Sequence, residues 1–277
     1  MSEHMEKNAK TADALAKFTL SRHKDRPNIH DYVIRMFTDV LELHGDRQMG
    51  DDPAMYTAIA RLEGIPVTVI GHVKGHTTAA NIAANFGMAH PEGYRKAMRQ
   101  MKLAEKFGRP IITFVDTPGA DPGVSSEEHG QGQAIAQNLR DMMGLRVPII
   151  SVIIGEGGSG GALGIACANR VIMLENATYS VISPRGFASI LWKDASREEE
   201  AAQVLRMTAD DLLTLGIIDS VVKEPPGGAH TDHNLMADVL KVNILQNLSD
   251  LLEKSREIIY NERYEKFRKM GQFKIIE

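Results

Sequence analysis

A glycine-rich segment is the part of this sequence whose residue types are best suited to chemistry. Residues 155–161 read Gly-Glu-Gly-Gly-Ser-Gly-Gly and lie between an apolar run, 149–154, and a stretch of small residues typical of a packed helix. Glycine lets a ligand approach the backbone closely, and a helix that begins here presents unpaired amides at the positive end of its dipole. Such amides bind a phosphate or stabilise an oxyanion. A tight turn between strand and helix is the alternative, but the density of glycines favours a ligand site.

Three familiar motifs do not fit this segment. It lacks the Lys-Ser/Thr pair of a phosphate-binding P-loop and the Gly-x-Gly-x-x-Gly pattern of a dinucleotide site. Because the register is also not Gly-x-Ser-x-Gly, Ser159 is a poor candidate for a nucleophile. Backbone amides are therefore the predicted chemical groups.

A second loop follows a neighbouring apolar run. Residues 116–123 read Asp-Thr-Pro-Gly-Ala-Asp-Pro-Gly directly after the predicted strand 111–115. Ligand sites of α/β sheets lie beyond the carboxyl ends of the strands, where both loops are expected. Taken alone, this loop is equally well explained as an Asp-capped turn shaped by proline and glycine. The two loops together predict a shared cleft, and its candidate lining residues are Thr117, Pro118, Gly119, Ala120, Gly157 and Gly158.

Histidines and basic side chains give weaker signals. No histidine pair has metal-ligand spacing such as His-Glu-x-x-His, so no metal site is predicted in this chain. Surface or packing roles are favoured for His72, His76, His90 and His129. Lys74, Arg95 and Lys96 could meet an anionic ligand, and solvated helix faces are the simpler interpretation.

Composition and charge limit the class of protein. The chain has 277 residues, 43% of them hydrophobic, which suffices for a sizeable core and excludes a disordered or fibrous protein. With 32 basic and 36 acidic side chains, the net charge of -4 gives no general electrostatic reason to bind nucleic acid or an anionic membrane. The single cysteine, Cys167, lies among apolar residues and is predicted to be a buried thiol. Residues 1–24 contain no apolar run typical of a signal peptide or membrane helix, so we expect a cytoplasmic protein.

Alternating helices and strands are expected to position the two loops. This alternation is typical of parallel strands joined by crossover helices, and it predicts an α/β fold. The predicted order is helix 91–107, strand 111–115, helix 127–143, strand 149–154, helix 160–168 and strand 170–174.

The flanking sequence predicts further elements. Residues 1–26 are polar with a weak helical stripe and are expected to form a loosely attached N-terminal arm. Amphipathic spacing predicts a helix over 31–44. The remaining predicted elements are a hairpin of strands 58–62 and 67–72, strands 179–182 and 217–222, helices 187–191 and 198–215, and a long helix or pair of helices over 235–270.

Short motifs spread over residues 26–230 together resemble one family, the alpha subunits of bacterial acetyl-CoA carboxylase carboxyltransferase. These motifs lie at 26–27, 31–33, 45–47, 59–62, 85–88, 91–97, 111–114, 116–120, 155–163, 178–184 and 188–193. The resemblance implies a crotonase-like (ClpP/crotonase) α/β fold of stacked ββα units over 27–230. A helical N-terminal arm, 1–26, would precede this domain, and a helical C-terminal extension, 231–277, would follow it.

The resemblance also implies an activity and a site. Members of the family transfer a carboxyl group from carboxybiotin, carried on a separate protein, to acetyl-CoA, and the malonyl-CoA formed serves fatty acid synthesis. Gly160 and Gly161 match the family's glycine pair, whose backbone amides form an oxyanion hole at the biotin ureido oxygen. Gly157, Gly158 and residues 117–120 would then line the cleft for biotin and substrate.

The partners implied by the resemblance are the other subunits of one multienzyme complex. A separate carboxyltransferase beta subunit would complete a heterotetramer of two alpha and two beta subunits. That subunit would supply the amides that stabilise the acyl-CoA enolate and would carry the family's zinc, so this chain needs no metal. The biotin carboxyl carrier protein and biotin carboxylase complete the implied holoenzyme, and neither nucleic acid nor membrane is an expected partner.

Several residues depart from the pattern that the resemblance implies. Residues 76–84 lack most of the basic side chains usual there, and Asp121 and His129 stand where tyrosine and arginine are usual. Arg185 and Phe187 likewise replace a glutamate and a small residue. Two alternatives therefore stay open: a divergent paralogue that carboxylates or decarboxylates another acyl-CoA, and a non-catalytic crotonase-fold scaffold.

Overall fold

A mixed sheet forms the centre of the molecule. The computed structural model describes residues 13–271. Its strands are β1 Thr38–Glu42, β2 Met55–Leu62, β3 Ile65–His72, β4 Ile111–Thr117, β5 Ile149–Gly158, β6 Arg170–Leu174, β7 Thr178–Ser180 and β8 Ser220–Val222. They lie across the sheet in the order β1-β2-β3-β4-β5-β6-β8, and β7 pairs with the end of β5.

Helices connect and cover these strands. They are α1 over 13–21, α2 Ile29–Met36, α3 Thr78–Ala83, α4 Pro91–Lys106, α5 Val124–Glu128, α6 Gln131–Gly144, α7 Ser159–Ala166, α8 Pro184–Phe187, α9 Glu198–Leu205, α10 Ala209–Thr214, α11 His233–Leu252 and α12 Arg256–Lys269. Shorter 3₁₀ or π turns occupy Asn85–Gly87, Ala188–Trp192, Ala195–Arg197 and Ala229–Thr231. Within the described residues, no helix has the length and apolar character needed to cross a membrane.

The sheet changes from antiparallel to parallel pairing at β3. The hairpin of β2 and β3 confirms the prediction, and its turn places Glu63 and Gly64 at φ 46° and 81°, as a two-residue hairpin turn requires. From β3 onward, all neighbouring strands pair in parallel, which confirms the crossover pattern predicted from the alternating elements. The carboxyl ends of β4 and β5 therefore lie side by side at one edge of the sheet.

The helix predicted over 31–44 is wrong beyond Met36. Phe37 is extended, with φ -120° and ψ 152°, and ends α2. Thr38–Glu42 then pairs antiparallel with β2 as an exposed edge strand. Val40 and Leu41 supplied the apolar spacing typical of a helix, but both side chains are exposed. Backbone pairing with β2, rather than burial of these side chains, holds the strand in place.

Two other predicted helices are each divided in two. The helix predicted over 127–143 is interrupted at Gly130, whose φ of 84° separates α5 from α6. The helix predicted over 198–215 is interrupted at Arg206, which has φ 48° and separates α9 from α10. Thr208 then caps α10 through a hydrogen bond accepted from the Asp211 amide. A left-handed residue ends each first helix because it turns the chain out of the helical path.

Of the long helix or pair of helices predicted over 235–270, the structure has the pair, and both helices belong to the main core, which continues across residue 230. Arg263 on α12 is fully buried. Its guanidinium donates at 2.6–2.9 Å to the carbonyl oxygens of Met142, Leu145 and Val147, and it also donates to Asn169 Oδ1. Burial lowers the pKa of Arg263 to about 10. This one side chain ties α12 to the segment before β5.

The described part of the N-terminal arm is packed against the rest of the chain, so the expected loose attachment is wrong for residues 13–26. Residues 1–12 lie outside the described range. A small second core, separate from the main one, consists of Ala14, Phe18, Ala202 and Met207. At the end of the arm, the buried guanidinium of Arg26 donates to both carboxylate oxygens of Glu224, at 3.1 and 2.5 Å.

Cys167 follows α7 and is buried, as predicted. Burial raises the pKa of its thiol to about 11. The thiol is therefore protonated at neutral pH and screened by the main core.

Candidate active site at the glycine turn

The glycine segment forms the junction between β5 and α7. Gly155 to Gly158 continue β5 as extended strand, so the turn predicted over the whole segment is confined to the step into Ser159. Ser159 has φ 51°, a left-handed conformation that costs energy in a residue with a side chain. The N-cap residue of α7 is Gly158, and no side chain caps this helix. The first amides of α7 therefore have no partner within the helix, and its dipole adds positive potential there.

The two predicted loops meet through their backbones. A Cβ on Gly158 would overlap the carbonyl oxygen of Pro118, and a Cβ on Gly161 would lie 2.5 Å from the amide nitrogen of Ala120. Glycine is required at both positions because the loop after β4 packs directly on this backbone. The structure thus brings together all the predicted cleft residues: Thr117, Pro118, Gly119, Ala120, Gly157 and Gly158.

Gly160 and Gly161 differ in exposure. Gly161 is buried beneath the loop after β4, and its carbonyl oxygen accepts a hydrogen bond of 3.1 Å from the hydroxyl of Tyr94. Gly160 is partly exposed, and the atom nearest to a Cβ built there would be Ile135 Cγ2 at 3.7 Å. Gly160 therefore borders open space, while Gly161 fixes the backbone behind it.

Two cavities open on either side of the turn. The first has a volume of about 360 Å³ and a mixed lining that includes Arg22, Gly157 and Gly158. The second, of about 330 Å³, is bordered by Gly160 and by leucine and isoleucine side chains from α7, α9, α10 and the segment before β8. Ser180 lines both cavities. Together they form a groove with one end of mixed lining and one apolar end, and the glycine turn contributes residues to both.

Four charged side chains form a chain of ion pairs next to the turn. Lys74 Nζ lies 2.8 Å from Asp116 Oδ1 and 2.6 Å from Glu156 Oε2. Arg22 Nε lies 3.0 Å from Glu156 Oε1. Burial opposes the charge of the Lys74 ammonium, but the two carboxylates outweigh that effect and raise its pKa. The solvated position predicted for Lys74 is therefore wrong. In this group, the charges of Lys74 and Arg22 balance those of Asp116 and Glu156.

Arg22 and Glu156 were not singled out as site residues by sequence reasoning. Arg22 belongs to the arm that was expected to be loose, and Glu156 was noted only as part of the glycine segment. A buried glutamate inside a glycine-rich strand end requires a cation nearby, and this is the signal that could have led to Arg22.

His72, at the end of β3, is fully buried. Burial lowers its pKa to about 4, so the imidazole is neutral at neutral pH. The packing role predicted for His72 is therefore confirmed.

The other predicted histidines and basic residues contact carboxylates away from the turn. His76 Nε2 lies 2.6 Å from an oxygen of Asp31, His90 Nδ1 lies 3.2 Å from one of Asp52, and His129 Nδ1 lies 2.8 Å from one of Glu92. Lys96 is buried and pairs with Asp51 at 2.5 Å, and Arg95 pairs with Asp46 at 2.8 Å, so neither side chain is a solvated helix residue. Residues 13–271 contain no group of three or more His, Cys, Asp or Glu side chains placed to hold a metal ion.

The residues that depart from the family pattern lie in different settings. Asp121 accepts hydrogen bonds from Asn85 Nδ2 at 2.9 Å and Ser126 Oγ at 2.7 Å, which ties the loop after β4 to the 3₁₀ turn before α4. Arg185 is exposed on α8, and Phe187 packs edge-on against Trp192. Residues 78–83 form α3, in which no residue is buried.

Comparison with known proteins decides the family. A family model described as acetyl co-enzyme A carboxylase carboxyltransferase-like matches residues 1–271. This chain belongs to that family. The alpha subunit of acetyl-coenzyme A carboxylase carboxyl transferase from Clostridium perfringens is 56% identical over 94% of this chain and 96% of its own length. The Listeria welshimeri alpha subunit is 54% identical over 94% of this chain and 82% of its own length. These relatives favour a carboxyltransferase alpha subunit over the paralogue and scaffold alternatives.

Solved structures confirm the predicted crotonase-like fold for this carboxyltransferase family member. Transcarboxylase 12S superposes with a TM-score of 0.61 and 22% identity, covering 79% of this chain and 42% of that chain. A malonate decarboxylase heterodimer from Pseudomonas superposes with a TM-score of 0.60 and 20% identity, covering 78% of this chain and 85% of that chain. At such identities the likeness concerns the fold alone.

Proposed function

We propose that this alpha subunit transfers a carboxyl group from carboxybiotin, held on the biotin carboxyl carrier protein, to acetyl-CoA. The malonyl-CoA formed would serve fatty acid synthesis in the cytoplasm. Family membership supports the activity, and the uncapped start of α7 beside an open groove is the observation that carries the mechanism. A separate beta subunit completes the site in a heterotetramer of two alpha and two beta subunits, and biotin carboxylase completes the holoenzyme.

The groove around the turn fits the chemistry of biotin. Biotin combines a polar ureido group with an apolar ring and chain, and it supplies the nitrogen that carries the carboxyl group. The glycine turn borders a cavity of mixed lining and an apolar one, so the residues beside Gly160 suit the apolar part of biotin. Thr117, Pro118, Gly119 and Ala120 close the opposite side through their contacts with the glycine backbone.

The chain acts by binding and orienting rather than by covalent catalysis. The amides of Gly160 and Gly161 would donate hydrogen bonds to the ureido oxygen of bound biotin, and they would stabilise negative charge at that oxygen. The Tyr94 hydroxyl anchors the Gly161 carbonyl, and this contact limits motion of the backbone directly after the two donors. No side-chain nucleophile is required, in keeping with the register of Ser159.

The test is carboxyl transfer from malonyl-CoA to biocytin by the complex of this chain with a cognate beta subunit. We expect transfer with the complex and none with either chain alone. The Gly160→Val variant should fold and assemble, because its Cβ has room, and should lower kcat by about 10²-fold by obstructing the oxyanion donors.

Gly132→Val is the matched control, because it makes the same change at a helical glycine of α6 with no atom within 4 Å of its Cβ position. Equal activity of the two variants in intact complexes would refute the proposed role of Gly160. Transfer by this chain alone would refute the split site.

A further inference from the structure

Arg22 lies at the end of the groove with the mixed lining, where the glycine pair provides no charge. It directly follows α1, and its side chain is half exposed, at 51%. The side chain lines the cavity of about 360 Å³ together with Gly157 and Gly158. A cation therefore borders the same cavity as the glycine backbone that leads into α7.

The contacts of Arg22 hold one edge of its guanidinium and leave the other edge available. Nε pairs with Glu156 at 3.0 Å, and the guanidinium carbon lies 5.1 Å from the centre of the Phe18 ring. Within residues 13–271, Nη1 and Nη2 make no hydrogen bond, although a guanidinium carries five N–H donors. The group is thus held in place by two neighbours and keeps donors for a ligand.

The charges around Arg22 leave it suited to an anion. Glu156 shares its charge with Lys74, which also pairs with Asp116. The carboxylate beside Arg22 is therefore already partly neutralised by a second cation, and Arg22 can accept a further anion without releasing Glu156. Arginine binds planar carboxylates through two parallel hydrogen bonds, whereas lysine offers only a point charge.

We propose that Arg22 binds the carboxylate of the group being transferred. This inference rests on the proposed function, because the turn beside the cavity is where the carboxyl group leaves the ureido nitrogen. The arm is then part of the active site, and its residues select a carboxylated substrate. The phosphates of CoA are the other anions with matching chemistry, and the test separates them from the carboxylate.

The experiment compares malonyl-CoA with acetyl-CoA in the complex with the beta subunit. Both molecules carry the CoA phosphates, but only malonyl-CoA carries the transferred carboxylate. We expect Arg22→Gln to lower kcat/KM for malonyl-CoA in transfer to biocytin by about 10- to 100-fold, the loss typical of a hydrogen bond to a charged group. The inhibition constant of acetyl-CoA should stay within about twofold, and Arg22→Lys should recover part of the loss.

Lys17→Gln is the control for the arm itself. Lys17 lies on α1 and pairs with Asp13 and Asp210 at 3.2 and 3.0 Å, so its loss disturbs the arm without removing a group from the cavity. Both constants should stay near the wild-type values in this variant. Equal effects of Arg22→Gln on malonyl-CoA and acetyl-CoA would overturn the carboxylate role and indicate a phosphate contact or a structural effect. A wild-type complex that transfers nothing would instead overturn the proposed function.

Discussion

The two ends of the described chain are attached to the sheet in different ways. The N-terminal helix α1 has a small core of its own, to which it contributes Ala14 and Phe18, and Arg22 directly after it lines the groove. The C-terminal helix α12 packs on the main core and buries Arg263 completely. Changes in α1 should therefore alter function more than global stability, and changes in α12 should do the reverse.

The largest expected effect on stability is that of Arg263→Met. The substitution removes the buried guanidinium donor of three carbonyl oxygens and of Asn169 Oδ1, and we expect the free energy of unfolding to fall by about 3–5 kcal/mol. KM for malonyl-CoA in the folded complex should not change. Urea denaturation and steady-state kinetics measure the two quantities.

Arg268→Met is the matched control, since Arg268 is exposed on the same helix and its loss should cost less than about 0.5 kcal/mol. Equal unfolding free energies of the two variants would contradict the inference that the C-terminal end of the chain contributes to global stability through Arg263.

The second expected effect is a pH dependence of folding stability that arises from His72, the buried histidine at the end of β3. His72 has a pKa of about 4 when folded, below the usual value of about 6.5 for the unfolded chain. The unfolded state therefore binds more protons between these values, and stability falls as pH drops from about 6.5 to 4, by up to about 3 kcal/mol.

The His72→Leu variant lacks this titration, so the difference in unfolding free energy between the variant and the wild type should grow over that range and level off below it. Measurements at pH 7 and 8 are the internal reference, because His72 is neutral there in both states. A difference that stays constant from pH 7 to 4 would contradict the burial of a neutral imidazole.

The smallest expected effect on stability is that of Phe18→Ala. We expect α1 to lose about 1–2 kcal/mol of local stability while global unfolding is nearly unchanged, because Phe18 belongs to the separate small core. Carboxyl transfer should fall several-fold, since the ring no longer supports Arg22. Limited trypsin cleavage near Lys24 would measure the local loss.

Thr19→Ala is the control on the exposed face of α1. If Phe18→Ala lowered the global unfolding free energy as much as Arg263→Met, the two chain ends would not differ in the way we infer.

Sequence patterns predicted the elements whose signals are local. The helix over 91–107, the hairpin and the parallel strands were found because apolar periodicity and turn residues fix them within a few positions of each other. The edge strand Thr38–Glu42 was missed because its exposed Val40 and Leu41 imitate helical spacing. The breaks at Gly130 and Arg206 were missed because a left-handed residue leaves the surrounding helical pattern intact.

In the candidate site too, features with a local sequence signal were predicted, and features that depend on distant contacts were not. The two loops and their shared cleft followed from glycine density and from the rule that sites lie at the carboxyl ends of strands. The ion pairs of Lys74 and Arg22 depend on contacts between residues far apart in the chain, and no spacing encodes them. The predicted roles of Gly160 and Gly161 rest on the family resemblance and stay predictions.

The single cysteine provides the chain with a label of its own. A thiol with a pKa of about 11 is ionised in only about one molecule in ten thousand at pH 7, and the Cys167 thiol is also buried. Alkylation of Cys167 can therefore proceed only when the main core opens. Because Cys167 belongs to the main core and not to the small core under α1, the rate of its alkylation measures opening of the main core rather than loosening of α1, with no residue introduced for the purpose.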